Sequence, residues 1–173
     1  VRKGFDLEGR LYALKAGADK ISLFANYSPV QALLLDSAPS LYVPNVPVYV
    51  GNVGIDFDVA TVNAQRISGE AYVTFVGKKY LSQDGLLTTR PFKRVAGRVA
   101  YSWPDGWTVF GQAMWYPGDR LSEFATNFGN VVGASSADIF TSPAPGLTVM
   151  AGLTYRMPTP NFAPPPTSKL VVK

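Results

Sequence analysis

Two pairs of charged residues in this sequence stand at spacings that could support chemistry. Asp6 and Glu8 are two residues apart, and Arg94 and Arg98 are four residues apart. On a β-strand both spacings place the two side chains on one face. Paired carboxylates could cleave a glycosidic bond, and paired arginines could bind an anionic ligand such as a ferric chelate. The plainer interpretation is a charged wall in which the arginines form ion pairs with acids such as Glu70.

The composition excludes much of the remaining chemistry. The sequence has no cysteine and no histidine, which excludes disulfides, thiolate or imidazole metal sites, cysteine nucleophiles and Ser-His-Asp triads. The net charge of +4 is spread along the chain rather than clustered, so a nucleic-acid partner is not expected. The glycine-containing stretch 129–133 lacks the lysine and hydroxyl residue of a phosphate loop. We therefore expect neither an enzyme nor a bound cofactor.

The elements that must position these charges are strands. Hydrophobic residues make up 47% of the chain, and 16 glycines and 14 prolines favour a turn-rich all-β fold over a helical bundle. Apolar residues alternate with polar ones, a period of two that is typical of strands. Charges keep to one of the two resulting faces. The alternation occurs in seven segments: 5–13, 21–28, 51–57, 67–75, 94–103, 107–116 and 147–156.

Three further features favour a membrane-spanning barrel over a soluble β-sandwich. The segments have about 9 to 12 residues each, the length that crosses a bilayer at barrel tilt. Glycine and alanine fill the middle of the apolar faces, whereas aromatic residues stand near the strand ends, as in the two aromatic girdles of such barrels. The connections alternate between short ones near Gly17, Val62 and 104–106 and long ones over 31–47, 81–91 and 118–145. We therefore predict an antiparallel up-and-down meander of about seven strands.

Several stretches of the chain resemble the C-terminal barrel of TonB-dependent outer-membrane receptors. The stretches are 2–9 (RKGFDLEG), 21–27 (ISLFANY), 43–47 (VPNVP), 72–80 (YVTFVGKKY) and 152–157 (GLTYRM). The resemblance extends over nearly the whole chain to Met157. Two features depart from it: Met114–Arg120 replaces an Asn-Leu-Phe-Asp-like run, and Met157 stands where the family ends on an aromatic residue that the barrel-assembly machinery reads.

The resemblance implies that residues 1–157 are the last seven strands of a 22-stranded transmembrane barrel in the outer membrane of a Gram-negative bacterium. Such a receptor imports a scarce ligand (siderophore-like, cobalamin or carbohydrate), with energy delivered by the TonB complex to a plug domain. The chain starts at Val1 without an export signal, so we expect it to be a fragment, open and curved in isolation. Its partners would be the lipid bilayer, the barrel-assembly machinery and, through the plug, TonB.

Ligand contacts are expected in two places. The inner wall would contribute Arg94 and Arg98, and the 118–145 loop would contribute Arg120, Phe124 and Phe128, aided by Tyr42 and the 81–91 connection. The proline-rich segment 158–173 should be an extended or disordered tail, since proline cannot donate the hydrogen bonds of a sheet. Two alternatives stay open from sequence: a passive porin-like outer-membrane barrel and a soluble β-sheet binding module.

Overall fold

A computed structural model describes residues 1–34, 41–118, 126–127, 139–140 and 143–157. In these ranges the regular structure is β apart from one short 3-10 turn at Val62–Ala64. Within the same ranges, no helix is long and apolar enough to cross a membrane. The strands are β1 (Arg2–Gly4), β2 (Leu7–Ala16), β3 (Asp19–Leu34), β4 (Leu41–Tyr42), β5 (Tyr49–Ala60), β6 (Arg66–Val76), β7 (Phe92–Ser102), β8 (Trp107–Trp115), β9 (Thr126–Asn127), β10 (Ile139–Phe140) and β11 (Leu147–Tyr155).

The main sheet is an antiparallel meander in sequence order. Its path runs β1-β3-β5-β6-β7-β8-β11, with β2 beside β1 against β3 and the short β4 also paired to β3. Strands β9 and β10 form a separate two-stranded ladder. Among the described residues the main sheet does not close on itself. The predicted all-β, open meander is therefore confirmed, with all seven predicted segments in it.

Strands β1 and β2 share one register against β3 and are interrupted opposite a proline. Gly4 pairs with Val30 and Leu7 pairs with Tyr27. Pro29 lies between these pairs on β3, and its missing N–H removes a ladder hydrogen bond. A Cβ atom on Gly4 would lie 2.5 Å from the carbonyl oxygen of Pro29, so the two backbones approach closely only because position 4 is glycine.

A β-bulge interrupts the alternation on β2. Tyr12 pairs with Ser22, but the next pair joins Leu14 to Ile21, which leaves Ala13 as the extra residue. The inserted residue shifts the alternation by one, so beyond it Leu14, opposite Ile21, is on the apolar face.

Short turns join the strands at one end of the sheet, which we call the lower rim. The turn at 17–18 has Gly17 at φ 60°, and the turn at 104–106 has Gly106 at φ 96°. Both values lie in the left-handed region that glycine adopts without a steric penalty. The second hairpin is closed by a hydrogen bond of 2.8 Å from the Trp103 amide to the Trp107 carbonyl. The predicted tight turns are confirmed.

The other end of the sheet, the upper rim, carries the longer connections. The predicted loop over 31–47 was partly wrong, because β3 continues to Leu34 and pairs there with β4. Buried apolar side chains gather at this rim rather than in the middle of the sheet. Within the described ranges the buried hydrophobic residues are Ala32, Leu81, Phe92, Tyr116 and Ala144.

Candidate functional site

The outer face of the sheet is apolar across its middle rows. We define it as the face that carries the row Leu11, Leu23, Ile55, Ala71, Gly97, Ala113 and Val149, in which each residue is the direct cross-strand partner of the next. One such row crosses seven strands without a polar side chain. The register therefore aligns the apolar faces that the sequence showed only strand by strand.

The inner face, on the opposite side, is more polar, and several of its side chains are less accessible than those of the outer face. Val99 and Leu153 on the outer face are 53% and 61% exposed, whereas Ser22 and Thr74 on the inner face are 0% and 4% exposed. On β8 the same contrast recurs at every step, with exposed outer residues and half-buried inner ones. A curved sheet with its polar side concave produces this pattern. It is the reverse of a soluble domain, which buries its apolar side.

Aromatic residues stand at the rims of the outer face. At the upper rim the rings of Tyr27 and Tyr49 lie 5.7 Å apart. At the lower rim two further pairs are in contact, Tyr101 with Trp103 at 4.8 Å and Trp107 with Tyr155 at 4.7 Å. The middle rows carry mainly alanine, glycine, valine, leucine and isoleucine. Aromatic residues thus bound an aliphatic band on both sides.

The inner face holds a charged network on its first strands. The carboxylate of Asp56 accepts hydrogen bonds from Arg10 at 2.5 Å and from Ser22 at 2.7 Å. The guanidinium of Arg10 also donates to the Ser22 hydroxyl at 2.9 Å. Arg10 and Asp56 lie on strands that are separated by β3. The network therefore ties three strands together on the side of the sheet that faces away from the aliphatic band.

A row of uncharged polar groups runs beside this network. Asn52 donates from its side-chain amide to the Asn26 carbonyl oxygen at 2.9 Å, and Thr74 donates to the Asn52 carbonyl oxygen at 2.7 Å. The three residues are cross-strand partners on β3, β5 and β6. Their mutual hydrogen bonds explain how Thr74 is buried without a desolvation penalty.

At the lower rim one arginine joins two neighbouring turns. Arg66 lies 2.8 Å from Asp58 and 3.6 Å from Asp19, and it donates to the carbonyl oxygen of Ala18 at 3.0 Å. Asp19 in turn accepts the amide hydrogen of Ala60 at 2.8 Å. These groups are about one third exposed, so the ion pairs are worth little individually, but together they link the 17–18 turn to the 61–65 turn.

Arg94 and Arg98 both lie on the inner face, as predicted. Arg98 is opposite Glu70 in the register, yet its guanidinium carbon sits 4.2 Å from the ring centre of Phe110. The stacking partner is a diagonal neighbour on β8, which strand alternation alone does not identify. Arg94 is the cross-strand partner of Thr74. Contact of either arginine with a ligand stays a prediction.

A groove of about 360 Å³ adjoins Arg98 on the inner face. Ala96 lines it, and Tyr72 and Met114 are the cross-strand neighbours of Ala96 on either side. Glu70 and Gln112 also line the groove. The predicted loop residues Arg120, Phe124 and Phe128 lie outside the described residues, as does the predicted tail 158–173. Within the described ranges no group of three acidic residues is arranged to hold a metal ion.

The upper rim contains a folded loop that the sequence did not reveal. The rings of Tyr42 and Tyr80 stack at 3.9 Å, and the Tyr42 amide donates to the Gln83 carbonyl oxygen at 2.7 Å. A hydrogen bond with Tyr80 raises the pKa of the Tyr42 phenol above its ordinary value. Leu81 and Ser82 are almost completely buried. The 81–91 connection is therefore an ordered part of the rim.

Replacing Ser82 by alanine is expected to loosen this loop. The hydroxyl donates to Asp84 at 2.5 Å and accepts the amide hydrogen of Leu87 at 3.0 Å, so its removal leaves a partly buried amide without this partner at a cost of about 1 kcal/mol. Ser82→Ala should therefore be cleaved faster between 82 and 90 in limited proteolysis. Ser28→Ala, half-buried on the inner face of β3, is the matched control. Equal cleavage rates would contradict the structural role of Ser82.

Comparisons with protein-family models, with curated proteins and with solved structures find no match for this chain. The resemblance to TonB-dependent receptors therefore stays a prediction.

Proposed function

We propose that this chain forms part of the wall of an outer-membrane β-barrel whose outer face contacts lipid and whose inner face lines the lumen. The observation that carries the proposal is the inverted burial: aliphatic side chains are exposed on one face, and hydrogen-bonded polar side chains are sheltered on the other. Monomeric soluble proteins rarely expose so large an apolar surface. A lipid bilayer is a solvent in which this arrangement is stable.

The length of strand β8 can be compared with the thickness of a bilayer. It begins at Trp107 and ends at Trp115, and both indoles are on the outer face, 41% and 50% exposed. The two residues are eight positions apart, about 27 Å along a strand at about 3.4 Å per residue. At a barrel tilt of about 40° the separation across the membrane is about 21 Å, close to the roughly 25 Å apolar band of such barrels. Each tryptophan then lies at one interface.

The distribution of residue sizes favours lipid over a second sheet as the partner of this face. The core of a β-sandwich is filled by interdigitating side chains from two sheets. Here the central rows carry small residues such as Ala71, Gly97 and Ala113, and the large rings stand at the rims. Aromatic side chains are favoured at both membrane interfaces, because their amphipathic rings suit the headgroup level.

Tryptophan fluorescence tests the membrane part of the proposal. The three tryptophans of the chain are Trp103, Trp107 and Trp115, all at the rims of the outer face. In vesicles, lipids brominated near the carbonyl groups should quench them strongly, lipids brominated at the chain ends should quench them less, and aqueous iodide should quench them weakly. Full quenching by iodide together with no quenching by brominated lipid would identify a soluble sheet instead.

The proposed activity is energised uptake of a scarce ligand, driven through TonB, and it rests on the resemblance in sequence. The polar inner face with Arg94 and Arg98 supports a lumen that accepts a polar or anionic ligand. Uptake by the intact receptor in cells should stop when a protonophore collapses the proton-motive force. Uptake that continues unchanged, and that is proportional to ligand concentration, would instead indicate a passive porin.

A further inference from the structure

A charged residue stands on the outer face at its upper rim. Lys93 is the cross-strand partner of Phe75, and its ammonium nitrogen lies 5.7 Å from the centre of the Phe75 ring. Two residues further along β7, Val95 pairs with Trp115. Lys93 is exposed. It therefore sits within the upper aromatic level, with its charge on the side of the sheet that the proposed function assigns to lipid.

A second lysine is placed on the same face at the same rim. Lys3 is exposed on β1 and pairs with Gln31, four residues beyond the outward-facing Tyr27 on β3. Because alternate residues of a strand share a face, Lys3 projects to the outer side. Lys3 and Lys93 thus flank the upper aromatic residues from two ends of a five-strand span of the sheet.

At the lower rim the charged groups bond to one another. The Asp19 carboxylate accepts the Ala60 amide hydrogen and lies 3.6 Å from Arg66, which also pairs with Asp58. At the upper rim, a lysine side chain can lay its aliphatic stem along the apolar surface and keep its ammonium at the interface.

We propose that Lys3 and Lys93 bind the phosphate groups of anionic lipid headgroups in the leaflet at the upper rim. This inference rests on the proposed function, since it requires the outer face to contact lipid. An ammonium group forms charge-assisted hydrogen bonds with phosphate oxygens, and the neighbouring rings of Phe75 and Trp115 fill the interfacial layer beside it. Attraction to an anionic membrane surface is worth about a fivefold change in affinity for each lysine.

The experiment measures which lipid occupies the surface next to Trp115. The variant with Trp103→Phe and Trp107→Phe keeps Trp115 as its fluorescent reporter. It is reconstituted in vesicles of brominated phosphatidylglycerol with ordinary phosphatidylcholine, and in vesicles of ordinary phosphatidylglycerol with brominated phosphatidylcholine. The binding constant of phosphatidylglycerol relative to that of phosphatidylcholine should be well above one. Lys93→Gln should lower it about fivefold. Lys3 lies at the far edge of the sheet from Trp115, so its effect is read with Gln31→Trp, its cross-strand partner, as the sole tryptophan, where Lys3→Gln should give a similar drop.

Lys78→Gln is the matched control, because it removes the same charge at the same rim. Lys78 is two residues beyond the inward-facing Val76, and the bond from the Val48 amide to its carbonyl continues the same register, so it shares the inner face. Its ammonium lies 5.1 Å from the Tyr80 ring centre. It should leave the lipid preference unchanged. Lys3→Gln and Lys93→Gln variants that keep the preference of the unmodified chain, or an equal loss in Lys78→Gln, would overturn the inference.

Salt dependence and the comparison of the two brominated lipids test the inference further. Raising the salt from about 0.05 M to about 0.5 M should lower the anionic-lipid preference of the unmodified chain, because salt screens exposed charges. A preference that does not respond to salt contradicts the inference even if a variant fails to fold. Equal quenching by both brominated lipids overturns only the lysine proposal, whereas no quenching by either overturns the membrane placement itself.

Discussion

Ala71→Arg is expected to prevent the chain from assembling in a bilayer. Ala71 is exposed in the central row of the outer face, between Ile55 and Gly97. A guanidinium at that depth would stand in the hydrocarbon layer, which costs about 2 to 4 kcal/mol at the membrane midplane. The folded fraction, measured as heat-modifiable mobility in gels after folding into vesicles, should fall steeply.

Ala96→Arg is the matched control for Ala71→Arg. Ala96 is one strand away on β7, but its side chain is on the inner face and borders the 360 Å³ groove, where an arginine has room and water. Its folded fraction should stay near that of the unmodified chain. Thr74 is a poorer control than the sequence suggests, because it is buried and bonded to Asn52. Equal losses in Ala71→Arg and Ala96→Arg would contradict the assignment of the two faces.

The second large effect is expected from Gly54→Val. Gly54 lies on the inner face between Phe24 and Tyr72, whose rings pack with their centres 6.5 Å apart. A Cβ atom at Gly54 would lie 2.6 Å from the Ala71 carbonyl oxygen and 2.7 Å from the Phe24 ring. The backbone oxygen cannot move without breaking the sheet. The loss of folding stability should therefore exceed the about 1 to 3 kcal/mol that overpacking usually costs.

Gly111→Val provides the comparison for Gly54→Val. Gly111 is also a mid-strand glycine, but a Cβ atom there would meet nothing within 4 Å, and it points to the outer face. Valine favours strands and adds apolar surface toward lipid, so this variant should be as stable as the unmodified chain or more so. Urea unfolding in vesicles would compare the two. Similar stabilities would mean that the close packing around Gly54 does not form.

Period-two alternation was sufficient to predict the strands and the facing of most residues, because a membrane or a core imposes the same polarity along a whole strand. It placed Arg94 and Arg98 on the correct face. It could not predict that Arg98 stacks on Phe110, because cross-strand contacts depend on register, which only the assembled sheet determines. The bulge at Ala13 also escaped prediction, since an extra residue changes the register without changing the composition.

The upper rim was the least predictable part of the fold. Its order comes from local hydrogen bonds around Ser82 and from the stack of Tyr42 on Tyr80, which are distant in sequence. Such contacts leave no periodic signal, and a stretch rich in small and polar residues reads as an ordinary loop. The extension of β3 past Pro29 was hidden for a related reason, because a proline within a strand normally argues against strand structure.

The open sheet has an odd number of strands, and this determines how it can be closed into a barrel. Counting the interrupted β1 and β2 as one strand, seven strands follow each other antiparallel, so β2 and β11 both run from the upper rim to the lower rim. Pairing these two edges with each other would create a parallel junction, with slanted hydrogen bonds unlike those of every other ladder in the sheet. A ring of identical copies joined head to tail would repeat that mismatch at every junction. Fully antiparallel closure therefore takes an odd number of additional strands, and the strand that joins each edge must run upward.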